Sequence, residues 1–234
     1  MLRQRTDFTI AGHSYFADIV PTNFVKFRER LHASLKRYPE WKYWQTEYCI
    51  LQGPSLDFSG RPRDLGIETA LIVARVIWGD LVLTNASAWQ WWLALSTWNF
   101  KDGLLYTDWK QPGDEESILP SKTLWALGNY SRFIRPGTTR VQLEGADDVE
   151  GLMGSAWLSP DDEQLILVFV NVADTPAIVD LAVHGKGRAP KFYTPHLTTG
   201  TNGDDLRPLP PVSKKDGLIV PARSIATFVA TDTS

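Results

Sequence analysis

One carboxylate stands among aromatic residues in the stretch Trp41–Leu51, and it is the residue best placed to do chemistry. The stretch reads WKYWQTEYCIL, and its bulky aromatic residues after Pro39 are typical of a strand. Strict alternation along that strand places Tyr43, Gln45 and Glu47 on one face. A carboxylate among aromatic rings is costly to bury without a partner or a task. Rings that stack on sugar C–H faces, beside a carboxylate that attacks the anomeric carbon, would supply that task. A packed strand-end glutamate is the alternative.

Two further segments carry polar or aromatic residues where a predicted strand ends. Residues two apart on a strand project to the same side, so a His–x–Tyr pair and a Trp–x–Trp pair each present two rings together. A further tryptophan follows in an irregular segment. The candidate substrate contacts are His13, Tyr15, Trp89, Trp91 and Trp98.

The elements that must position these residues alternate between strands and helices. The predicted strands are Phe8–Asp18, Trp41–Leu51 and Leu81–Trp92; the predicted helices are Pro21–Tyr38, Leu65–Trp78 and one that starts at Ser121. Alternation at this spacing predicts parallel βα units. Ligands bind at the carboxyl ends of the strands in such architectures, so we expect the three strand tips to converge.

The first predicted helix has one apolar stripe. Phe24, Phe27 and Leu31 recur at helical spacing, which predicts that this side is buried. The basic residues opposite the stripe, Arg28 among them, are expected to be solvated.

The pattern of residues along the sequence changes after Gly137. The remaining segments are short, rich in β-branched residues and separated by Gly, Pro, Asp or Asn, which is the pattern of an antiparallel sandwich. The sequence therefore predicts two domains, residues 1–135 and residues 136–234.

Composition excludes several classes of function. The formal net charge is −3, which gives no electrostatic footprint for nucleic acid. No apolar run is long enough to cross a bilayer, and the N-terminal residues lack the apolar region of a signal peptide. The single cysteine, Cys49, excludes an intrachain disulfide and a cysteine-based zinc site. Most of the ten tryptophans fall between Trp41 and Trp109, which suggests a sugar-binding surface or an unusually aromatic core.

Five motifs together resemble glycoside hydrolase family 30, the family that also holds glucosylceramidase. In chain order they read AGHSYFAD, WKYWQTEYCIL, SAWQWWLAL, KTLWALGNYSRFIRPG and VPARSIATFV. No one of them is specific alone. Five in the family's order and spacing cover nearly the whole chain, and that makes the resemblance specific.

The resemblance implies a fold class of α/β plus all-β, in which the C-terminal part of a (β/α)8 TIM barrel is followed by an antiparallel β-sandwich. The three predicted strands are then barrel strands six, seven and eight. It implies retaining catalysis with Glu47 as the nucleophile. His13 and Tyr15 then line the sugar subsite, and Tyr15 hydrogen-bonds the nucleophile. Trp91 flanks the subsite, with Trp89 one pleat away.

The sequence departs from the family at the second catalytic group. The family's acid/base glutamate lies in an Asn–Glu pair on strand four, and this sequence contains no such dipeptide. We therefore expect the chain to be the C-terminal part of the enzyme, with the rest of the barrel as its partner beside an oligo- or polysaccharide substrate. The resemblance calls for no metal or organic cofactor. It implies that the intact protein is secreted or periplasmic.

The residues of the motifs favour a member of the family that degrades polysaccharides, such as an endo-β-1,6-galactanase. The main alternative is a non-catalytic carbohydrate-binding protein with an aromatic platform on its sandwich. The aromatic residues cluster instead in the βα half around one carboxylate, which favours the enzyme. A third reading is a truncated product that folds poorly.

We expect no turnover when the chain alone is assayed on β-linked gluco- and galacto-oligosaccharides. A retaining site needs a second carboxyl group about 5–5.5 Å from the nucleophile, and the segment that supplies it in the family has no counterpart in this sequence. Product release by the chain should equal that of a Glu47→Gln variant. Turnover that disappears on this substitution would contradict the expectation.

Overall fold

The computed structural model describes residues 8–18, 20–51, 60–108, 117–161, 164–185 and 190–231. The chain forms two compact units, one of residues 1–65 and 75–121 and the other of residues 66–74 and 122–234. Helix α3 (Lys122–Ser131), grouped by sequence with the βα half, belongs to the second unit. The assignment of domains to residues 1–135 and 136–234 stays a prediction.

A parallel sheet of three strands organises the first unit. Its strands, in chain order and in spatial order, are β1 (Thr9–His13), β2 (Lys42–Glu47) and β3 (Ala88–Trp89). Helix α1 (Pro21–Leu35) connects the first two strands, with its proline in the first turn, where no backbone donor is needed. Helix α2 (Ile67–Trp78) lies between β2 and β3 in the chain. The predicted parallel pairing is confirmed.

Strand β1 is at the edge of this sheet. Among the described residues it pairs with β2 alone, so its other side is an unpaired edge. The strand TIAGH contains no proline and no Lys, Arg, Asp or Glu. Its outward residues Thr9, Ala11 and His13 are exposed.

The predicted third strand, Leu81–Trp92, is wrong over most of its length. Helix α2 continues into a π-helical turn, Gly79–Leu83, in which Thr84 N donates to Gly79 O at 3.1 Å. Only Ala88–Trp89 is a strand. A short apolar run does not distinguish a helix end from a strand start by its periodicity, and here the run belongs to the helix.

The predicted faces of α1 are also partly wrong. Phe24 is fully buried as expected, but Phe27 is 46% exposed and Arg28 is buried. The guanidinium of Arg28 is drawn inward by a carboxylate, Asp80 Oδ1, at 2.8 Å from Arg28 Nε. Buried ionic groups of this kind need a partner, and the helical pattern alone does not reveal one.

The segment after β3 is more regular than predicted. Three short strands form a separate sheet: β4 (Leu95–Ser96), β5 (Leu105–Thr107) and β6 (Ile118–Pro120). The Tyr106 hydroxyl donates to Phe100 O and accepts from the main-chain N–H groups of Asp102 and Gly103, which fixes the turn between β4 and β5. Trp109, which belongs to the same tryptophan-rich segment, lies outside the described residues.

The second unit is mainly antiparallel sheet, as the sequence predicts. Its strands are β7 (Thr139–Val141), β8 (Leu152–Leu158), β9 (Leu165–Asn171), β10 (Ala177–Val179), β11 (Phe192–Thr198), β12 (Arg207–Pro208), β13 (Val212–Ser213), β14 (Leu218–Val220) and β15 (Ser224–Thr231). A 3₁₀ turn, Lys214–Asp216, precedes β14. Seven strands form one sheet, in which β12, β11, β15, β9, β8 and β7 follow in that order and β13 also pairs with β11. Strands β10 and β14 form a second, two-stranded sheet.

The core of this unit contains residues from both of its sheets. Phe169 and Phe228 from the large sheet meet edge-on, with ring centroids 6.0 Å apart, in the same cluster as Leu218 and Val220 from the small sheet. This sandwich-like packing buries Leu165, Leu167 and Phe169 on one face of β9. The residues on the other face of β9 are buried as well.

Helix α3 contacts strands β11 and β15 through a buried asparagine. Asn129 Nδ2 donates to Thr198 Oγ1 at 2.8 Å and to Trp125 O at 2.9 Å. The Thr227 hydroxyl lies 2.9 Å from Asn129 Oδ1. The amide therefore ties the helix to two neighbouring strands of the large sheet.

We expect Asn129→Ala to lower the free energy of unfolding by about 2 kcal/mol, because it removes the three hydrogen bonds of a fully buried amide. Urea titration followed by far-UV circular dichroism measures this. The matched control is Asn202→Ala, at an exposed asparagine, which should change stability by less than about 0.5 kcal/mol. Equal effects of the two substitutions would contradict the anchoring role of Asn129.

Candidate active site

Glu47 ends strand β2, and its carboxylate receives a hydrogen bond from a tyrosine that follows the neighbouring strand. Tyr15 Oη donates to Glu47 Oε1 at 2.7 Å. Burial first, and then the hydrogen bond to Glu47, raises the pKa of the Tyr15 hydroxyl well above its ordinary value. The hydroxyl therefore stays protonated and remains a donor at neutral pH.

A bulge near the end of β2 decides which way Glu47 points. The two strands pair residue for residue as far as Gly12 and Gln45, but the next residue of β1, His13, pairs with Glu47. Thr46 is thus an extra residue in β2. Such an insertion bends the strand and re-aims the side chains that follow it.

The bulge overturns the predicted alternation of faces. Tyr43 and Gln45 are buried, whereas Trp44 between them is 39% exposed. His13 lies two residues beyond the partner of Trp44 on β1, so the two share a face, and Glu47 pairs with His13. The prediction that Tyr43, Gln45 and Glu47 share one face is therefore wrong for Glu47, which turns to the exposed face.

Four aromatic rings join the tips of the three parallel strands. Tyr48, directly after Glu47, is buried and stacks on Tyr15, with ring centroids 5.7 Å apart. Its ring also lies 6.1 Å from those of Trp89 and Trp91, which stack on each other at 6.3 Å. The segments that sequence reasoning expected to meet are thus in contact through Tyr48.

The remaining candidate residues lie at the margins of this cluster. His13 is exposed, and its ring meets the ring of Tyr15 edge-on, at 5.7 Å between centroids. Trp98 is 62% exposed, and its main-chain N–H donates to Ser96 Oγ at 3.1 Å. The indole Nε1 of Trp91 is buried without a hydrogen-bond partner among the described residues. The Trp91 indole N–H is therefore a buried donor that no described group satisfies.

Sequence reasoning missed a buried carboxylate beneath the site. Asp80 is 2% exposed and accepts hydrogen bonds from Arg28 Nε at 2.8 Å, Trp89 Nε1 at 2.9 Å and Ser14 Oγ at 3.0 Å. Burial raises the pKa of the Asp80 carboxyl, and the Arg28 guanidinium opposes that shift. The indole N–H of Trp89 is therefore already used in a hydrogen bond to Asp80.

One sequence signal for this carboxylate was available in the glycine that precedes it. A Cβ at Gly79 would lie 2.5 Å from Phe24 Cζ and 2.7 Å from Arg28 Nε. The glycine thus allows α1 to approach the π-helical turn closely enough for Arg28 to reach Asp80. A Gly–Asp pair inside an apolar run marks such an approach, although it does not identify the partner.

An open cavity of about 580 Å³ lies beside β1 and α1 in the first unit. Its lining includes His13, Tyr15 and Asp80 together with Phe16 and Phe27, which are about half exposed. The cavity therefore reaches the Tyr15 side of the candidate site.

The described residues contain no group of three or more His, Cys, Asp or Glu side chains arranged to hold a metal ion. The single cysteine, Cys49, is buried, and burial raises the pKa of its thiol to about 11. No helix within the described part of the chain combines the length and the apolar composition that a membrane span requires.

Comparison with known proteins gives one family model and several solved structures that are similar to this chain. Residues 3–106 match the model of O-Glycosyl hydrolase family 30. A conserved exported protein from Bacteroides fragilis is similar over 95% of this chain and 46% of its own, with 28% identity and a TM-score of 0.76.

Two family 30 xylanase structures share the fold at lower identity. An endoxylanase from Clostridium papyrosolvens C71 matches 87% of this chain and 46% of its own, at 19% identity and a TM-score of 0.63. The catalytic domain of xylanase C from Talaromyces cellulolyticus matches 82% of this chain and 41% of its own, at 21% identity and a TM-score of 0.62. The chain thus spans less than half the length of these structures. The match to the family model and these structures support membership of O-glycosyl hydrolase family 30, as the C-terminal portion of such a protein.

Proposed function

We propose that this chain is the nucleophile-bearing part of a retaining O-glycosyl hydrolase that acts on β-linked polysaccharides or glycosides. The observation that carries the proposal is the hydrogen bond of 2.7 Å from the Tyr15 hydroxyl to the Glu47 carboxylate, at the tip of a parallel strand and beside stacked aromatic rings. A carboxylate held in this way is oriented and available for attack on an anomeric carbon.

The proposed reaction has two steps. Glu47 attacks the anomeric carbon while the glycosidic oxygen leaves with a proton from a second carboxyl group, which gives a glycosyl-enzyme ester. That second group then takes a proton from water as the water breaks the ester. Tyr15 orients Glu47, His13 contacts the sugar, and the ring of Trp91 forms one side of the sugar subsite. Trp89 and Trp98 extend the aromatic surface.

We assign β1, β2 and β3 to strands six, seven and eight of a (β/α)8 barrel. Their parallel pairing in chain order supports the assignment. The partner of the unpaired β1 edge is then the part of the barrel that carries the acid/base carboxyl group. Tyr15 follows β1 and Glu47 ends the neighbouring strand β2, so the carboxylate is positioned by this chain's own residues.

The proposed substrate is a β-linked polysaccharide outside the cell. Similar structures include enzymes named as xylanases and as an endo-β-1,6-glucanase. The sequence motifs favour a different β-linked glycan, a β-1,6-galactan. The similar Bacteroides fragilis protein is named as exported, which supports secretion of the intact protein.

A binding platform on the sandwich is less well supported. Trp157 is 6% exposed and Tyr193 is fully buried, so neither ring is available to a sugar. Exposed or partly exposed aromatic residues surround Glu47 instead. The catalytic proposal accounts for this distribution.

We expect the chain to form a covalent adduct on Glu47 with 2,4-dinitrophenyl β-glycosides of xylose, glucose or galactose. Dinitrophenolate leaves without a proton, so glycosylation needs no general acid. The C1–oxygen bond to dinitrophenolate breaks and the Glu47–C1 ester forms. Hydrolysis of the ester needs the second carboxyl group, which the proposal places outside this chain, so the adduct should accumulate. Intact mass spectrometry and peptide mapping detect it.

The controls for this experiment are two glutamate substitutions. Glu47→Gln should abolish the adduct, whereas Glu40→Gln, at an exposed glutamate just before β2, should leave its rate unchanged. An adduct on another residue, or none with any of the three sugars, would contradict the assignment of Glu47 as the nucleophile.

A further inference from the structure

Asp80 connects four elements of the first unit through three hydrogen bonds. It lies in the π-helical turn after α2, and its donors come from α1 (Arg28), from the residue after β1 (Ser14) and from β3 (Trp89). Each donor–acceptor distance is between 2.8 and 3.0 Å. Donors from three elements on one buried carboxylate fix those elements against one another.

The connection continues from Ser14 to β2 through a buried glutamine. Gln45 Nε2 donates to Ser14 Oγ at 3.0 Å and to the main-chain oxygen of Glu47 at 3.0 Å. The Tyr43 hydroxyl donates to Gln45 Oε1 at 3.0 Å. Gln45 is fully buried, so both Nε2 hydrogens and its oxygen are used within the protein.

This network holds Glu47 through both its main chain and its side chain. Its main-chain oxygen, at the bulge, is held by Gln45, and its carboxylate is held by Tyr15. Tyr15 directly follows Ser14, which is bonded to both Gln45 and Asp80. Displacement of Ser14 therefore disturbs both of the contacts that aim Glu47.

We propose that Asp80 is a positioning residue for Glu47: it fixes Ser14, and through Ser14 and Gln45 it fixes the β2 bulge that directs the carboxylate to the Tyr15 hydroxyl. The catalytic part of this inference rests on the proposed function. The structural part, that the Tyr15–Glu47 contact depends on Asp80, is independent of it.

The test is carbon-13 NMR of the chain labelled at tyrosine Cζ, whose chemical shift reports the hydrogen bonding of the phenol. The Tyr15 signal is assigned with Tyr15→Phe, and Glu47→Ala gives its position without the carboxylate. In Asp80→Asn we expect the Tyr15 signal to move more than half of the way to its position in Glu47→Ala.

The control separates positioning from general destabilisation. Asp204 is also a buried carboxylate, held by Thr199 and Arg207, but it lies in the second unit. Asp204→Asn should lower the thermal midpoint while leaving the Tyr15 signal in place. A lowered midpoint in Asp80→Asn with an unmoved Tyr15 signal would overturn the proposal.

A milder variant keeps the test decisive if Asp80→Asn does not fold. Gln45→Met removes the donors to Ser14 and Glu47 but leaves the ion pair of Arg28 with Asp80 intact. The same movement of the Tyr15 signal is expected, and its absence in a folded variant would equally overturn the proposal.

The rate of adduct formation with dinitrophenyl glycosides tests the catalytic meaning. Asp80→Asn should slow the first-order glycosylation step at least tenfold at saturating glycoside, whereas Asp204→Asn should not. A moved Tyr15 signal in a protein whose parent forms no adduct would support the positioning role and contradict the proposed function. Adduct formation at the parent rate in Asp80→Asn would overturn the positioning role alone.

Discussion

The charge buried at Asp80 is the constraint on which the arrangement of the first unit depends. A carboxylate removed from water must be compensated by donors close at hand, since an uncompensated charge in the interior is strongly destabilising. The compensation here comes from a helix, a strand and the segment after a second strand. The backbone has to bring those elements together around one point, and Gly79 leaves the space for the closest approach. The geometry around Glu47 follows from this meeting point.

In the second unit, a buried neutral side chain joins several elements. Asn129 bridges helix α3 to two strands of the large sheet through donors and an acceptor on one amide. Asn129 carries no charge, so the loss of one of its partners is a local cost of about one to three kcal/mol. The two sites thus differ in kind: ionic compensation joins the elements around Asp80, and amide hydrogen bonds join those around Asn129.

Sequence reasoning recovered the elements better than it recovered their details. Aromatic strands and the helical stripes were strong local signals, so β1, β2 and the three helices were found near their observed positions. The face of Glu47 was missed because a bulge depends on the pairing of two strands and leaves no mark in the spacing of one. The inward turn of Arg28 was missed for a related reason, since the carboxylate that attracts it is 52 residues away.

The candidate site shows the same division. Glu47 and Tyr15 followed from motif order, and the structure brings them into direct contact. Asp80 and Ser14 were not found, because their importance lies in contacts among four separate elements, and the Gly79–Asp80 pair does not identify those partners. The strand over Leu81–Trp92 was wrongly predicted because its apolar beginning suits a buried helix end equally well. Non-local hydrogen bonds are the kind of information that a single sequence conceals.

The edge of β1 that pairs with no other described strand has a consequence for the behaviour of the chain in solution. A row of free backbone donors and acceptors is a template for any extended segment, and natural proteins usually guard such edges with charge or proline. The strand TIAGH has neither. Whatever covers that edge protects the chain from aggregation and determines its colloidal stability, so solubility and assembly are governed by the same few backbone groups.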